Sequence, residues 1–105
     1  MKVLVVIVNY RTADLTIDAL RSLAPELPAV APARVVVVDN CSGDGSAVRI
    51  AGAIADGGWG EWAMLVEAER NGGFAYGNNR GLEAAAACWP RPAYVHLLNP
   101  DTVVR

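Results

Sequence analysis

The chain has 105 residues, of which 53% are hydrophobic and 19% are charged, and its net charge is −2. A chain of this size and apolar content is expected to form one domain with its own core. The acidic balance and the singly scattered arginines exclude the basic stripe that nucleic-acid binding requires. The first apolar run, 3–8, is too short for a membrane span or a signal peptide. We therefore expect a cytoplasmic protein, either free or peripheral to the inner face of the membrane.

Four continuous apolar runs predict β-strands, because strands buried on both faces of a parallel sheet lack polar alternation. They lie at 3–8, 35–38, 63–66 and 94–98. Segments with helical spacing fall between them, at 12–24, 46–56 and 76–88. This order predicts an α/β fold with a parallel sheet of about four strands and right-handed βαβ crossovers.

The helices carry local signals. Thr12 is placed to cap the first helix and Pro25 to stop it. The second helix is expected to bury an apolar stripe made of Val48, Ala51, Ile54 and Ala55. In the third, Gly77 and Gly81 each cost about 1 kcal/mol relative to alanine, so they call for a reason. One reason is a close approach of the backbone to a ligand or another element, and the other is a loop rich in turn formers.

Several chemically notable side chains are expected to be structural. Cys41 and Cys88 have neither the spacing of a disulfide framework nor nearby zinc ligands, so two free thiols are predicted. His96 lies inside the fourth strand, in step with its apolar neighbours, and is predicted to pack in the core. The three tryptophans are also expected to pack; they are Trp59, Trp62 and Trp89.

Polar residues follow each predicted strand. In chain order these include Asn9 and Tyr10, Asp39, Arg70 and Asn71, and Asn99 and Asp101. The carboxyl ends of parallel strands share one edge, where α/β proteins bind ligands, so four polar ends together favour a ligand site. The glycine fingerprint of a dinucleotide-binding fold is absent after the first strand, and no P-loop is present.

Individual residues at this edge each allow two interpretations. Asp101 could hold Mg²⁺ or Mn²⁺ against a diphosphate, or belong to an Asn-Pro-Asp turn. Asp39 could accept a hydrogen bond from a ribose hydroxyl or a base N–H. It could instead cap the second helix, although Asp44 and Ser46 are better placed for that. Arg80 could neutralise phosphate charge or remain a solvated surface residue.

Together, four motifs resemble glycosyltransferase family 2, most closely its rhamnosyltransferase-like branch. They are VVIVNY at 5–10, VVVDNCSGDGS at 36–46, NGGFAYGNNRG at 71–81 and LLNPD at 97–101. Their order and spacing match along essentially the whole chain. The resemblance implies a nucleotide-diphospho-sugar-binding fold of the GT-A type, the N-terminal half of such a transferase.

The resemblance also implies an activity: inverting, metal-assisted hexosyl or rhamnosyl transfer to an acceptor hydroxyl, in polysaccharide or glycolipid synthesis. The donor would be dTDP-, UDP- or GDP-linked, and the acceptor a saccharide or a lipid-linked molecule. The residues it assigns to the nucleotide and donor are the Asn9–Tyr10 backbone, Asp39, Arg70, Asn71, Asn78 and Asn79. Asp101 matches the metal-binding Asp of the family's Asp-any-Asp motif. Asn99 stands where many members carry the other Asp, as in the rhamnosyl-like branch, and is a further candidate ligand.

A complete domain of that family is longer than this chain, so the chain is expected to end before the acceptor half. The catalytic base is then expected beyond Arg105, and the chain alone is expected to be inactive. The fourth strand is expected at a sheet edge, where exposed apolar groups favour a homo-oligomer. Two alternatives stay open. One is a non-catalytic nucleotide-sugar-binding module that acts with a partner chain, and the other is a dinucleotide-dependent dehydrogenase domain, which the missing glycines disfavour.

Overall fold

A computed structural model describes residues 3–25, 33–89, 92 and 94–98, with Phe74 and Leu98 described by their backbone alone. Strands and helices alternate along it as the apolar pattern predicts. In chain order they are β1 (Val3–Asn9), α1 (Ala13–Leu23), β2 (Ala33–Asp39), α2 (Ser46–Gly57), β3 (Ala63–Glu67), α3 (Gly73–Cys88) and β4 (Tyr94–Leu98). The largest difference from the predicted bounds is at α3, which begins at Gly73 instead of residue 76. Gly73 has φ +89°, a conformation that glycine adopts without strain.

The strands form one parallel sheet in the order β3-β2-β1-β4, which confirms the predicted fold class and, within the described residues, the edge position of β4. The register sets Asn9 beside Asp39, and Asp39 beside Glu67. The last residues of the first three strands therefore lie in a row at the carboxyl edge. The strand order reverses between β1 and β4, the place where a doubly wound sheet opens a crevice.

Helices cover both faces of the sheet. Helices α1 and α2 pack on the face that presents Val5, Ile7, Val35 and Val37, while α3 packs on the face that presents Leu4, Val6, Val8, Val36 and Val38. Right-handed crossovers require this division, because the chain moves one way from β1 to β3 and returns the other way to β4. Trp59 and Trp62 pack against the first cluster and Trp89 against the second, as expected. Both cysteines are exposed free thiols, also as expected.

The two glycines of α3 mark a close approach between helix and sheet. A Cβ atom on Gly77 would lie 2.7 Å from a methyl carbon of Val8, and one on Gly81 would lie 2.9 Å from a methyl carbon of Val38. Real Cβ contacts are longer than this, so only glycine lets the helix lie this near. Of the reasons considered above, contact with another element is the one observed.

One prediction about packing was wrong and another was wrong in part. Helix α2 buries Ser46, Ile50 and Ile54, whereas Val48 is 77% exposed. Ile54 is buried as predicted. Ile50, four residues earlier on the same face, is buried with it, so Val48, Ala51 and Ala55 face outward. His96 is exposed rather than packed in the core. Its strand pairs only with β1 among the described residues, and the apolar neighbours of His96 on β4 did not indicate a buried face.

In the described part of the chain, every helix is either too short or too polar to cross a membrane.

Candidate functional site

Asn9 joins the loop after β1 to the loop after β2. Its Nδ2 donates to Asp39 Oδ1 at 3.0 Å and to Ser42 Oγ at 3.3 Å. Its Oδ1 accepts from Thr12 Oγ1 at 3.0 Å and from Thr16 Oγ1 at 2.8 Å. An amide has two donor hydrogens and two acceptor positions, so this fully buried side chain is saturated. Thr12 stands at the predicted N-cap of α1, but its hydroxyl serves Asn9 and makes no cap bond.

The main chain of Asn9 also serves the fold, because its carbonyl oxygen accepts the Asn40 N–H at 2.8 Å. This bond continues the β1–β2 ladder by one residue. Tyr10, the next predicted nucleoside contact, is 40% exposed, and the Arg11 guanidinium lies over its ring at 5.2 Å. Of this predicted pair, Tyr10 faces solvent and Asn9 lies inside.

Asp39 is 5% exposed, and its two oxygens have different surroundings. Oδ1 accepts from Asn9 Nδ2 and also from Ser42 Oγ in a short hydrogen bond. No hydrogen bond from the described residues reaches Oδ2. The described residues contain four fully buried side-chain atoms that lack a hydrogen-bond partner. Asp39 Oδ2 also lacks a partner but is not one of these four, so it is accessible and not fully buried. Asp39 does not cap α2, so the capping interpretation is wrong.

Ser42 was missed by the sequence reasoning. It is buried, and its Oγ accepts the Arg11 backbone N–H at 2.9 Å while donating to Asp39. Its carbonyl accepts Arg11 Nε at 2.9 Å. A serine in a loop rich in glycine and aspartate reads as an ordinary turn former. The signal available was its place three residues after Asp39, within reach of that carboxylate.

The same two loops carry unusual backbone conformations. Arg11 has φ +57° and Cys41 has φ +61°, values that non-glycine residues rarely adopt. Such conformations persist only where the surroundings hold them, here through the bonds between Arg11 and Ser42. The strain is thus concentrated at the carboxyl edge of the sheet.

Asn40 connects β2 to the start of α3 on the other side of the sheet. Its Nδ2 donates to Asn71 Oδ1 at 3.0 Å and to the Gly73 carbonyl at 2.9 Å. Asn71 Oδ1 also accepts the Gly73 N–H at 3.2 Å, which fixes the turn into the helix. The predicted donor-binding residue Asn71 is therefore exposed yet anchored through its oxygen. Asn40 Oδ1 is buried without a partner among the described residues.

The remaining donor-pocket candidates divide into one buried residue and two exposed ones. Asn78 is 6% exposed, and its Oδ1 lacks a partner among the described residues. Asn79 is exposed. Arg70 is exposed and lies over the Tyr76 ring, 4.5 Å from its centroid. The structure thus brings Asn71 and Asn40 together, but it gives Arg70 and Asn79 no contact with Asp39.

Arg80 is paired within the protein. It lies 2.9 Å from Glu83 and 3.1 Å from Glu69, whose other oxygen accepts from the Tyr76 hydroxyl. The hydrogen bond to Glu83, followed by the charge of Glu69, raises the pKa of the Arg80 guanidinium. Two carboxylates balance this charge, so the surface interpretation fits better than phosphate neutralisation.

Asp44 lies at the start of α2, where its carboxylate accepts both the hydroxyl and the backbone N–H of Ser46. The hydroxyl contributes most to lowering the pKa of Asp44 below its ordinary value. As the sequence suggested, Asp44 and Ser46 organise this helix start while Asp39 does not.

All three helices begin at the carboxyl edge, and none has a side-chain hydrogen bond from its N-cap residue. The first N–H groups of a helix point outward and carry partial positive charge. Several of them therefore face the region beyond the strand ends. Two of these N–H groups already have side-chain acceptors, because Ser46 N–H donates to Asp44 and Gly73 N–H donates to Asn71.

The predicted metal ligands Asp101 and Asn99 lie outside the described residues. Within the described residues, no group of three or more His, Cys, Asp or Glu side chains could hold a metal ion. A separate groove of about 510 Å³ lies between α1 and α2, where Ile17, Val48 and Trp59 form part of its wall. It contains none of the predicted site residues and lies away from the strand ends.

The strand order, the helices on both faces and the polar carboxyl edge define a doubly wound α/β fold. Among solved structures, the chain is similar to the mannosyltransferase PcManGT from Pyrobaculum calidifontis, in complex with GDP-Man and Mn²⁺. The two are 27% identical with a TM-score of 0.70, over 80% of this chain and 24% of the mannosyltransferase. The chain therefore has a glycosyltransferase fold and spans about a quarter of that protein's length. It matches no protein-family model and no curated protein sequence.

Proposed function

We propose that the chain is the donor-binding region of a glycosyltransferase that resembles family 2 and its rhamnosyltransferase-like branch. The observation that carries the proposal is Asp39, a nearly buried carboxylate fixed at a strand end with one oxygen left accessible. It occurs in a fold similar to that of a mannosyltransferase. A buried carboxylate needs hydrogen-bond donors, and a ligand N–H or hydroxyl would supply the missing one.

The electrostatics of the edge support an anionic ligand. Three helices begin there, and the backbone N–H groups at a helix N-terminus can bind phosphate without a glycine fingerprint. In this proposal Asp39 and the Asn9–Tyr10 backbone contact the nucleoside. The donor pocket is lined by Arg70, Asn71, Asn78 and Asn79.

The proposed reaction is inverting transfer of a hexosyl or rhamnosyl group to a saccharide or lipid-linked acceptor. The acceptor hydroxyl attacks the anomeric carbon while the nucleoside diphosphate leaves. Asp101 and Asn99 are the candidates to hold Mg²⁺ or Mn²⁺, whose chemistry there is to neutralise charge on the diphosphate. The base that takes the acceptor proton is proposed to lie beyond Arg105. A sugar-transfer assay on these 105 residues should accordingly give no turnover.

Calorimetric titration with UDP, dTDP and GDP, with and without Mn²⁺, tests the proposal. Saturable binding that Mn²⁺ strengthens is expected for at least one of them, whereas NAD should not bind. Failure of every nucleoside diphosphate to bind in the presence of Mn²⁺ would contradict the proposal.

A pair of variants localises the binding. Asp39→Asn should weaken nucleotide binding about tenfold or more, because an amide N–H would face the ligand's donor. The matched control is Asp56→Asn on the exposed surface of α2, which should bind like the wild type. Equal binding by both variants would remove Asp39 from the site.

Two alternatives have their own tests. A non-catalytic module would bind the same nucleotides and gain transferase activity only with a separate partner chain. A dehydrogenase domain would bind NAD, which the absence of glycine after β1 and the similarity to a mannosyltransferase both disfavour.

We also propose that β4 mediates self-association. Three of its hydrophobic side chains are exposed: Tyr94 at 65%, Val95 at 46% and Leu97 at 47%. An edge strand of this kind pairs readily with another chain. Light scattering should show oligomers that a Leu97→Lys variant reduces. A monomer at high concentration would contradict this.

A further inference from the structure

The two oxygens of Asp39 are not equivalent acceptors. Oδ1 already accepts Asn9 Nδ2 at 3.0 Å and the Ser42 hydroxyl. A carboxylate oxygen offers about two acceptor positions, so Oδ1 is saturated. Oδ2 receives no hydrogen bond from the described residues and remains accessible. Asp39 therefore presents one acceptor atom to the exterior, where a free carboxylate would present two.

The partners that saturate Oδ1 are themselves fixed. Thr12 and Thr16 donate to the Asn9 amide, which sets its orientation. The Arg11 backbone N–H donates to Ser42 Oγ at 2.9 Å, which turns the Ser42 hydrogen toward Asp39. Rotating the carboxylate to expose both oxygens would break buried hydrogen bonds, and such bonds are costly to lose.

We propose that Ser42, together with Asn9, sets the base preference of the site by limiting Asp39 to one accessible oxygen. This rests on the proposed function, in which Asp39 contacts the nucleoside. Uracil and thymine present a single imide N–H, which one oxygen satisfies. Guanine presents adjacent N1–H and N2–H donors, which match a carboxylate only when both of its oxygens are available.

The binding preference follows from the donor left without an acceptor. At this site the guanine amino group would meet the saturated Oδ1 and stay unpaired. An unpaired donor in a buried contact lowers affinity by about tenfold or more. The favoured donors are thus uridine and thymidine diphospho-sugars, and guanosine diphospho-sugars are disfavoured.

A comparison of UDP, GDP and IDP in the presence of Mn²⁺ tests this in the wild-type chain. IDP differs from GDP only in lacking the 2-amino group. Comparing the two therefore distinguishes the effect of the extra N–H donor from the effect of the size of the base. UDP and IDP should each bind at least about tenfold more tightly than GDP. Binding of UDP with neither purine nucleotide detectable would assign the preference to base size and would contradict the proposal. Binding of GDP as tight as that of UDP, or as tight as that of IDP, would overturn it.

Two serine variants test the part played by Ser42. Ser42→Ala opens one position on Oδ1, so the affinity of GDP relative to IDP should rise about five- to tenfold. Ser46→Ala is the matched control, since Ser46 is equally buried and donates to a different carboxylate, Asp44. Its GDP-to-IDP ratio should stay at the wild-type value. An unchanged ratio in a folded Ser42→Ala variant would remove Ser42 from the proposal, and if that variant unfolds, the wild-type ratios decide.

The two proposals fail differently. If no nucleoside diphosphate binds, the proposed function is wrong and this inference falls with it. If nucleotides bind but GDP exceeds IDP and UDP, the donor-binding function stands and only the single-acceptor assignment of Asp39 is wrong.

Discussion

Strands β2 and β4 look alike in sequence but differ in the folded chain. Val35, Val36, Val37 and Val38 of β2 are fully buried, whereas Tyr94, Val95 and Leu97 of β4 are between 46% and 65% exposed. Strand β2 has a strand on each side and helices on both faces. Strand β4 pairs only with β1 in the described part of the chain, and α3 packs chiefly over β1 and β2.

The difference teaches that an apolar run reports a capacity for burial, while neighbouring elements decide whether burial occurs. The ends of β1 and β2 carry a polar network closed by Asn9, Asp39 and Ser42. We call β1, β2 and this polar network the covered side of the molecule. The covered side should contribute most of the stability, and substitutions there should cost far more than the same substitutions at exposed positions.

The largest expected effect is that of Asn9→Ala. It would remove one of the two hydrogen bonds to Asp39 Oδ1 and leave the buried Thr16 hydroxyl without a partner, so the free energy of unfolding should fall by about 3–4 kcal/mol. The exposed Asn79 is the control, because Asn79→Ala should change it by less than about 0.5 kcal/mol. Chemical denaturation of both variants measures the difference. A loss below about 1 kcal/mol for Asn9→Ala would contradict the comparison, because the polar network at the ends of β1 and β2 would then contribute little to stability.

The next effect concerns the close approach of α3 to the sheet. Gly81→Ala would place a methyl group 2.9 Å from Val38 and 3.0 Å from Val6, and overpacking of this kind costs about 1–3 kcal/mol. Gly52→Ala in α2 is the matched control, since its Cβ meets nothing within 4 Å and alanine favours the helix by about 1 kcal/mol. The two variants should therefore differ by about 2–4 kcal/mol in thermal or chemical unfolding. If both are stabilised, the helix does not lie as close as the glycines indicate.

The direct test of the comparison replaces one valine on each strand. Val36→Ala removes two buried methyl groups and should lower the free energy of unfolding by about 2 kcal/mol. Val95→Ala, at a position 46% exposed, should lower it by less than about 1 kcal/mol. Urea denaturation measures both under conditions in which the chain is monomeric. Equal losses would mean that β4 is as well covered as β2.

The elements were predictable from the sequence because their signals are local. Apolar runs, helical spacing and the polar residue after each run place β1, β2 and the edge position of Asp39 correctly. The saturation of Asn9 was not predictable, because it depends on Asp39, thirty residues away, and on the register between β1 and β2. The rotation of α2 and the exposure of His96 also depend on which neighbours cover each face. The residues predicted to hold a metal, Asp101 and Asn99, lie outside the described residues and stay predictions.

The smallest expected effect concerns the exposed carboxylate of Asp44 at the start of α2. It tests whether the hydrogen bonds of the covered side continue to this surface residue. The Ser46 hydroxyl is the main cause of the lowered pKa of Asp44, so Ser46→Ala should raise that pKa toward its ordinary value. Because the folded pKa lies below the unfolded one, Asp44 stabilises the fold above about pH 4 and loses this contribution as the pH falls further. In Ser46→Ala, this loss should be smaller. Carboxyl NMR titration measures the Asp44 midpoint, with Ser22→Ala on α1 as the control, since its hydroxyl bonds a backbone carbonyl. If the Asp44 midpoint is the same in both variants, the hydrogen bond from Ser46 does not persist in solution. The hydrogen-bond network at the strand ends then does not extend beyond Ser42.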